Sequence, residues 1–138
     1  MESETINKEN LATAPWEDDF FRCCDFEDFS MEGGQVTSDF ISCSFRRLDW
    51  YWTIFNNMNF IGCEFADCVF RGASLSCRFV ECTLNNCRFQ KDNLDGDCKF
   101  DGSVAHGCTV VGGRGFLIAS VSHWRHTNTV FPTPDSSA

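Results

Sequence analysis

From Phe40 onward a large apolar residue returns at every fifth position: Phe40, Phe45, Trp50, Phe55, Phe60, Phe65, Phe70 and Leu75. The register slips back by one and runs on through Phe79, Leu84, Phe89 and Leu94. It then slips forward by one and continues as Phe100, Ala105 and Val110. Two residues before each of these positions lies a second track of mostly small residues: Ser38, Cys43, Leu48, Thr53, Met58, Cys63, Cys68, Ala73, Cys77, Cys82, Cys87, Asp92, Cys98, Ser103 and Cys108. Both tracks keep phase through both slips.

Residues two apart on an extended segment face the same side, so the small and the large residue both point inward. The three residues between one pair and the next must turn a corner. Glycine recurs two positions after the large residue, as Gly62, Gly72, Gly96, Gly102, Gly107 and Gly112, where a tight turn calls for positive φ. A five-residue period cannot hold one face of an α-helix. Short extended segments that turn the same way every five residues wind into a coil rather than a flat sheet.

Over about residues 36–112 the chain resembles the pentapeptide-repeat family on these two tracks. The resemblance implies an all-β fold, a right-handed four-sided parallel β-helix of about four coils, with the central Phe or Leu and a small residue filling the interior. Cys stands where the family often carries Ala, one small apolar residue for another; Asp92 departs from the pattern. With four pentapeptides to a coil, as the resemblance implies, Cys43, Cys63 and Cys82 form one interior column. Cys68, Cys87 and Cys108 form the next, and Cys77 with Cys98 a third. Coils about 4.8 Å apart give a rod of roughly 20 Å.

A coil exposes apolar edges at both ends and needs caps. Residues 1–14 read as disordered, and residues 15–36 as an acidic, aromatic cap or a partial first coil, since Phe21, Phe26, Met31 and Val36 also recur at five with Cys24 before Phe26. Residues 37–112 are the β-helix. Residues 113–131, with apolar Gly115–Val121, read as a C-terminal cap or a dimerisation segment, and 132–138 as a loose tail.

Composition acquires a cause in this light. Of fifteen Phe and ten Cys in 138 residues, nine Phe and eight Cys lie on the two tracks. No basic segment followed by an apolar stretch opens the chain and no run approaches the ~18 apolar residues of a membrane helix, so a cytoplasmic protein with free thiols is expected. Stacked thiols run side by side rather than converging on zinc, and the short CxxC knuckle is absent. Asp92, Asp95, Asp97 and Asp101 do not match an EF-hand, because a loop begun at Asp95 puts Phe100 where glycine is required. His123 and His126 lack a carboxylate or thiol at ligand spacing, so neither cofactor nor metal is expected. No GxSxG, P-loop or dinucleotide-binding glycine pattern occurs, and an enzyme is not expected.

The formal charge is −9, and it is unevenly placed. Residues 1–36 carry ten acidic and two basic side chains, net −8; residues 37–112 carry nine and seven, net −2; the remainder is net +1. This disfavours direct contact with nucleic acid or an anionic membrane and favours a basic protein partner. Glu17, Asp18 and Asp19 are candidates for steering such a partner, and Tyr51 and Trp52, read as projecting outward near Arg46 and Arg47, for holding it. Against that, the N-terminal segment with Trp16, Phe20 and Phe21 could fold back over Tyr51 and Trp52.

The family's best-known role, protection of DNA gyrase by mimicry of DNA, calls for negative charge along a long rod and commonly a dimer. This rod is short, near neutral and carries Arg46, Arg47, Arg71, Arg78 and Arg88. The reading preferred from sequence is a non-catalytic immunity or inhibitor protein that occludes a basic partner such as an antibacterial toxin. Gyrase-directed DNA mimicry is the alternative and a structural scaffold the second; the chain is read as a monomer or an end-to-end homodimer.

Overall fold

The structure, a computed structural model, describes residues 1–90, 99–101, 103–113 and 125–127, with backbone alone at Trp52 and at 73–75, 99–101 and 125–127. An entry segment, β1 (Thr5–Ile6), leads into four circuits of short strands. The first contains β2 (Phe20–Arg22), β3 (Asp25–Glu32) and β4 (Gln35–Val36); the second, β5 (Asp39–Ile41) and the long β6 (Ser44–Asn56). The third contains β7 (Asn59–Ile61), β8 (Glu64–Ala66) and β9 (Val69–Leu75); the fourth, β10 (Arg78–Val80), β11 (Thr83–Asn85), β12 (Arg88–Phe89) and β13 (Lys99–Asp101). A fifth begins with β14 (Val104–His106) and β15 (Thr109–Val111), and β16 (Arg125–Thr127) pairs onto β14. All pairings between the strands are parallel. The fold is thus an all-β solenoid of about four turns with four faces per turn.

The register assigns each large residue to a column. Phe21, Phe40, Phe60, Phe79 and Ala105 line the first face. Phe26, Phe45, Phe65, Leu84 and Val110 line the second. Met31, Trp50, Phe70 and Phe89 line the third. Aromatic rings in a column lie nearly parallel, Phe21 on Phe40 at 4.9 Å and 1°, Phe26 on Phe45 and Phe45 on Phe65 at 4.7 Å, while neighbouring columns meet edge to face. Offset stacks and T-shaped pairs are the arrangements the ring quadrupole favours, so the Phe-rich track fills the interior with geometry as well as area. Phe40, Phe45, Trp50, Phe55, Phe60, Phe65, Phe70, Phe79, Leu84 and Val110 are buried, and so are Cys43, Cys63, Cys68, Cys77, Cys82, Cys87 and Cys108. Phe89 is half-buried and packs against this core.

The corners show how the sequence permits the winding. The residue two after the inward large one adopts φ near +55° at Cys23, Asp28, Ser42, Arg47, Asn57, Asp67, Glu81 and Asn86, and Gly33, Gly62, Gly107 and Gly112 occupy equivalent sites. Glycine is therefore sufficient but not required there, and Asn and Asp serve because they tolerate the left-handed region. Gly72 is different, since its φ is not positive.

Several expectations are corrected. Residues 1–14, expected to be disordered, form β1, which pairs with β3, and a 3-10 turn at Leu11–Thr13, with Ile6 2% exposed. Residues 15–36 hold a whole circuit, and Trp16 plugs its open end against Phe21, Phe26, Phe29, Phe40 and Trp50 at 5.5–6.4 Å. On the fourth face the column runs Val36, Phe55, Ser74, Phe100, so Leu75 lies opposite Asn56 and not in the core register. The slip occurs earlier than expected: two residues, Trp52 and Thr53, stand between Tyr51 and Ile54, where the next circuit has Gly72 alone between Arg71 and Ala73.

The cysteine columns shift for a related reason. Phe89 and Phe100 occupy successive faces of one circuit although eleven residues apart, so Phe79 pairs with Ala105 and Leu84 with Val110, each twenty-six residues on. Cys108 therefore joins the Cys43, Cys63 and Cys82 column, where Cys82 is its neighbour, rather than that of Cys68 and Cys87. Cys77 sits by Ser103, whose Oγ accepts its backbone N–H at 3.1 Å. Leu94, Cys98 and the Asp92, Asp95 and Asp97 cluster lie outside the described residues, as do the side chains of Phe100 and Asp101, His123, His126, Gly115–Val121 and the tail 132–138.

Candidate functional site

The candidate partner-binding residues fall at two separate places. Glu17, Asp18 and Asp19 form the corner that leads into the first circuit, all exposed. Asp18 has φ +54°, and the next circuit fixes this backbone. The Asp18 N–H donates to Thr37 Oγ1 at 2.9 Å and the Asp19 N–H to Ser38 Oγ at 3.1 Å, while Ser38 Oγ donates to the Pro15 carbonyl at 2.7 Å. Among the described residues no cation lies within ion-pair distance of these three carboxylates.

Arg46 and Arg47 stand on the second face and its corner, and each is engaged by the acid one circuit below. Arg46 meets Glu27 at 2.8 Å, and Arg47 makes two bonds to Asp28, Nε to Oδ1 and Nη2 to Oδ2. The hydrogen bond from Arg47 holds the Asp28 carboxyl below its ordinary range. These exposed pairs contribute little to stability, but they cancel much of the first circuit's negative charge on this face. Within residues 1–36 the ion-paired acids are Glu2, Glu27 and Asp28, and Glu17, Asp18 and Asp19 are the three consecutive acids left unpaired among the described residues.

Tyr51 is half-buried, and its cationic neighbour is Arg71, whose guanidinium carbon lies 5.4 Å from the ring centroid. Arg71 also reaches Asp49 at 3.1 Å. Burial raises the Asp49 carboxyl above its usual value, opposed by Arg71, and among the described residues Asp49 Oδ1 and Arg71 Nε are buried without hydrogen-bond partners. The Trp52 side chain lies outside the described residues. The N-terminal aromatics do not cover Tyr51: Trp16 and Phe21 are core contacts at the end of the coil, and Phe20 is exposed on the first face. Sequence reasoning missed Glu27, Asp28 and Asp49 as partners of these arginines. The signal was a spacing, because Glu27 and Arg46, and Asp28 and Arg47, are nineteen residues apart, one circuit.

The interior thiols carry a pattern that space filling alone would not give. Each donates to the carbonyl of a large residue in the circuit below: Cys43 to Phe21 at 3.4 Å, Cys63 to Phe40 at 3.3 Å, Cys68 to Phe45 at 3.4 Å and Cys77 to Phe55 at 3.1 Å. Cys82 donates to Phe60 at 3.2 Å, Cys87 to Phe65 at 3.5 Å and Cys108 to Phe79 at 3.2 Å. The hydrogen bond to Cys43 and burial push the Cys63 thiol up to about 12. Cys82 also rises to about 12; the bond to Cys108 opposes this, and Cys63 and burial prevail. Buried, carbonyl-bound thiols such as Cys63 and Cys82 are poor nucleophiles. Among the described residues no group of three or more His, Cys, Asp or Glu side chains converges to hold a metal ion.

None of the curated proteins matches the sequence. Among solved structures, that of trypsin-treated QnrB1, a plasmid-mediated fluoroquinolone resistance protein, is similar with a TM-score of 0.48 at 13% identity, over 95% of this chain and 68% of that one. The family described as pentapeptide repeats, in nine copies, matches residues 55–104. That stretch covers most of the third and fourth circuits, whose inward pairs are the small and large residues of a five-residue unit, and residues 55–104 are thus a run of pentapeptide repeats.

Proposed function

We propose that this chain is a non-catalytic protein-binding β-helix, an immunity or inhibitor protein that occludes a basic protein such as an antibacterial toxin in the cytoplasm. The observation that carries this reading is the Glu17–Asp19 corner, three adjacent exposed carboxylates on a backbone fixed by Thr37 and Ser38 and without a cation among the described residues. A preset negative corner at one end of a rigid rod steers a basic surface and fixes the orientation in which it arrives. Because the interior is filled by ring stacks and thiols, binding falls to the outer surface. DNA mimicry is disfavoured by Arg46, Arg47, Arg71, Arg78 and Arg88, which interrupt the negative charge along the rod.

The test is co-purification with the product of the adjacent gene, followed by titration of that complex with the triple variant Glu17→Lys, Asp18→Lys, Asp19→Lys and with Trp52→Ala. The triple variant is expected to slow association and to flatten its salt dependence. Unchanged affinity in both variants overturns the assignment. A parallel gyrase supercoiling assay with and without a quinolone is expected to show no protection.

A further inference from the structure

The first face of the coil presents two outward columns. One runs Phe20, Asp39, Asn59, Arg78, Val104, and the other Arg22, Ile41, Ile61, Val80, His106. Phe20 is 43% and Ile61 39% exposed, and Ile41 and Val80 flank Ile61 along the second column. An apolar stripe of this kind on an open sheet face marks an interaction surface. The polar members of the first column form a ladder: Asn59 donates its backbone N–H and its side-chain amide to Asp39 Oδ1, at 2.9 and 3.1 Å, and Arg78 donates to Asn59 Oδ1 at 3.3 Å. Among the described residues neither Asp39 nor Arg78 has an ion-pair partner.

We infer that this face binds a second copy of the chain, the two coils running in opposite directions. A two-fold axis lying along the strands at the third circuit reverses the order of circuits and returns each column to itself. Asp39 of one copy then meets Arg78 of the other, twice. Ile41 meets Val80, Ile61 meets Ile61, and Phe20 meets Val104. At the rim Arg22, already held by Glu2 at 2.7 Å, meets His106. The opposite charges stand one circuit to either side of the axis, which is the condition for a self-complementary contact. A charged partner of one sign would leave Asp39 or Arg78 facing its like, whereas a second copy matches both. The contact uses five of the six strands of this face, β2, β5, β7, β10 and β14, and five short strands about 4.8 Å apart bury less than the ~800 Å² per partner of a standard interface. The pair is therefore weak and concentration-dependent, and it differs from an end-to-end dimer.

Sedimentation velocity over a concentration series tests this. The native chain is expected to move from monomer to dimer as concentration rises. Asp39→Arg, Arg78→Asp and Ile61→Lys are each expected to loosen the dimer at least about tenfold, because each places like charges or a buried ammonium at the contact. An equimolar mixture of the Asp39→Arg and Arg78→Asp chains is expected to regain a dimer, since every facing pair is again opposite in charge. A chain that had failed to fold could not be rescued by mixing. A native protein that stays monomeric throughout, a dimer indifferent to Ile61→Lys, or a mixture that does not reassociate overturns the inference.

Discussion

Gly72 lies so close to Thr53 of the circuit below that a methyl group on it would sit 2.1 Å from the Thr53 carbonyl oxygen. The approach follows from the missing residue at that corner: Gly72 alone faces the span filled by Trp52 and Thr53. Since φ at Gly72 is not positive, glycine is needed for contact and not for conformation. The obstacle is backbone, which cannot swing aside as a side chain would. Gly72→Ala is expected to lower stability by about 1–3 kcal/mol, read by urea denaturation, whereas Gly34→Ala, with nothing within 4 Å of its added methyl group, is expected to lose only the strain of its positive φ.

The same corner marks the limit of what the sequence could tell. The five-residue tracks identified the inward positions and the coil, because the alternation of inward and outward side chains is a local property, while the four faces and the columns followed from the family resemblance. The places where a circuit gains or loses a residue are not local. Leu75 fits the track as well as Ser74 would, and only the pairing of Phe55 with Ser74 decides between them. In the same way the spacing puts Cys108 in the wrong column, because Phe89 and Phe100 read as two repeats apart while their pairings place them on successive faces. The order of residues 1–14 had a signal in the sequence, since Met1, Ile6, Leu11 and Trp16 carry the five-residue spacing back from Phe21 and pack against the core, with Ile6 held on the edge of β3. For the candidate site, the Glu17–Asp19 corner was legible as charge, whereas the neutralisation of Arg46 and Arg47 required the length of a circuit.

Cysteine was read as a small apolar filler, yet every described cysteine of the inner track donates to a carbonyl below it, and Ser38 and Thr53 on the same track do likewise, Ser38 to Pro15 and Thr53 to Met31 and Gly33. Where the track carries Cys, Ser38 or Thr53, the short side chain brings a donor as well as volume, whereas Leu48 and Met58 on the same track fill space alone. Cys63→Ala removes the bond to Phe40 and leaves a small void, at an expected cost of about 1–2 kcal/mol. Cys63→Ser keeps a donor for the same carbonyl and is expected to cost less than alanine, even though its hydroxyl is the more polar group. Equal losses in guanidinium melts would show that the thiol acts by volume alone.

Stability is expected to fall in alkali. Cys63 and Cys82 are held up to about 12 against an ordinary 9.0, and Cys87 and Cys108 are raised as well, through the neighbouring thiols and burial; Cys43 and Cys68, bonded by Cys63 and Cys87, are lowered. With four raised and two lowered, the unfolded chain gives up more thiol protons than the native one above pH 9. The native state binds more protons there, so the free energy of unfolding declines as pH rises. The stability from these thiols is intact below pH 9 and is lost progressively toward pH 12. Denaturant midpoints between pH 8 and 11 measure the slope, and Cys82→Ala is expected to make it shallower; an unchanged slope in that variant would assign the loss to other groups.

Glu81 occupies a corner at φ +52°, where its neighbours one circuit away in the corner column, Gly62 and Gly107, also have positive φ. Its backbone N–H donates to the His106 carbonyl at 2.8 Å, and the turn closes through that bond whatever the side chain. The left-handed region costs a residue with a Cβ and a long side chain about 1–2 kcal/mol, and asparagine less because its amide bonds locally. Glu81→Asn leaves the backbone bond in place and is expected to raise stability by about 0.5–1 kcal/mol. The reverse substitution at an equivalent corner, Asn57→Glu at φ +50°, is expected to lower it by a similar amount. Thermal melts of both variants decide the matter: if Glu81→Asn is neutral while Asn57→Glu is costly, the strain lies in the particular corner and not in the conformation they share.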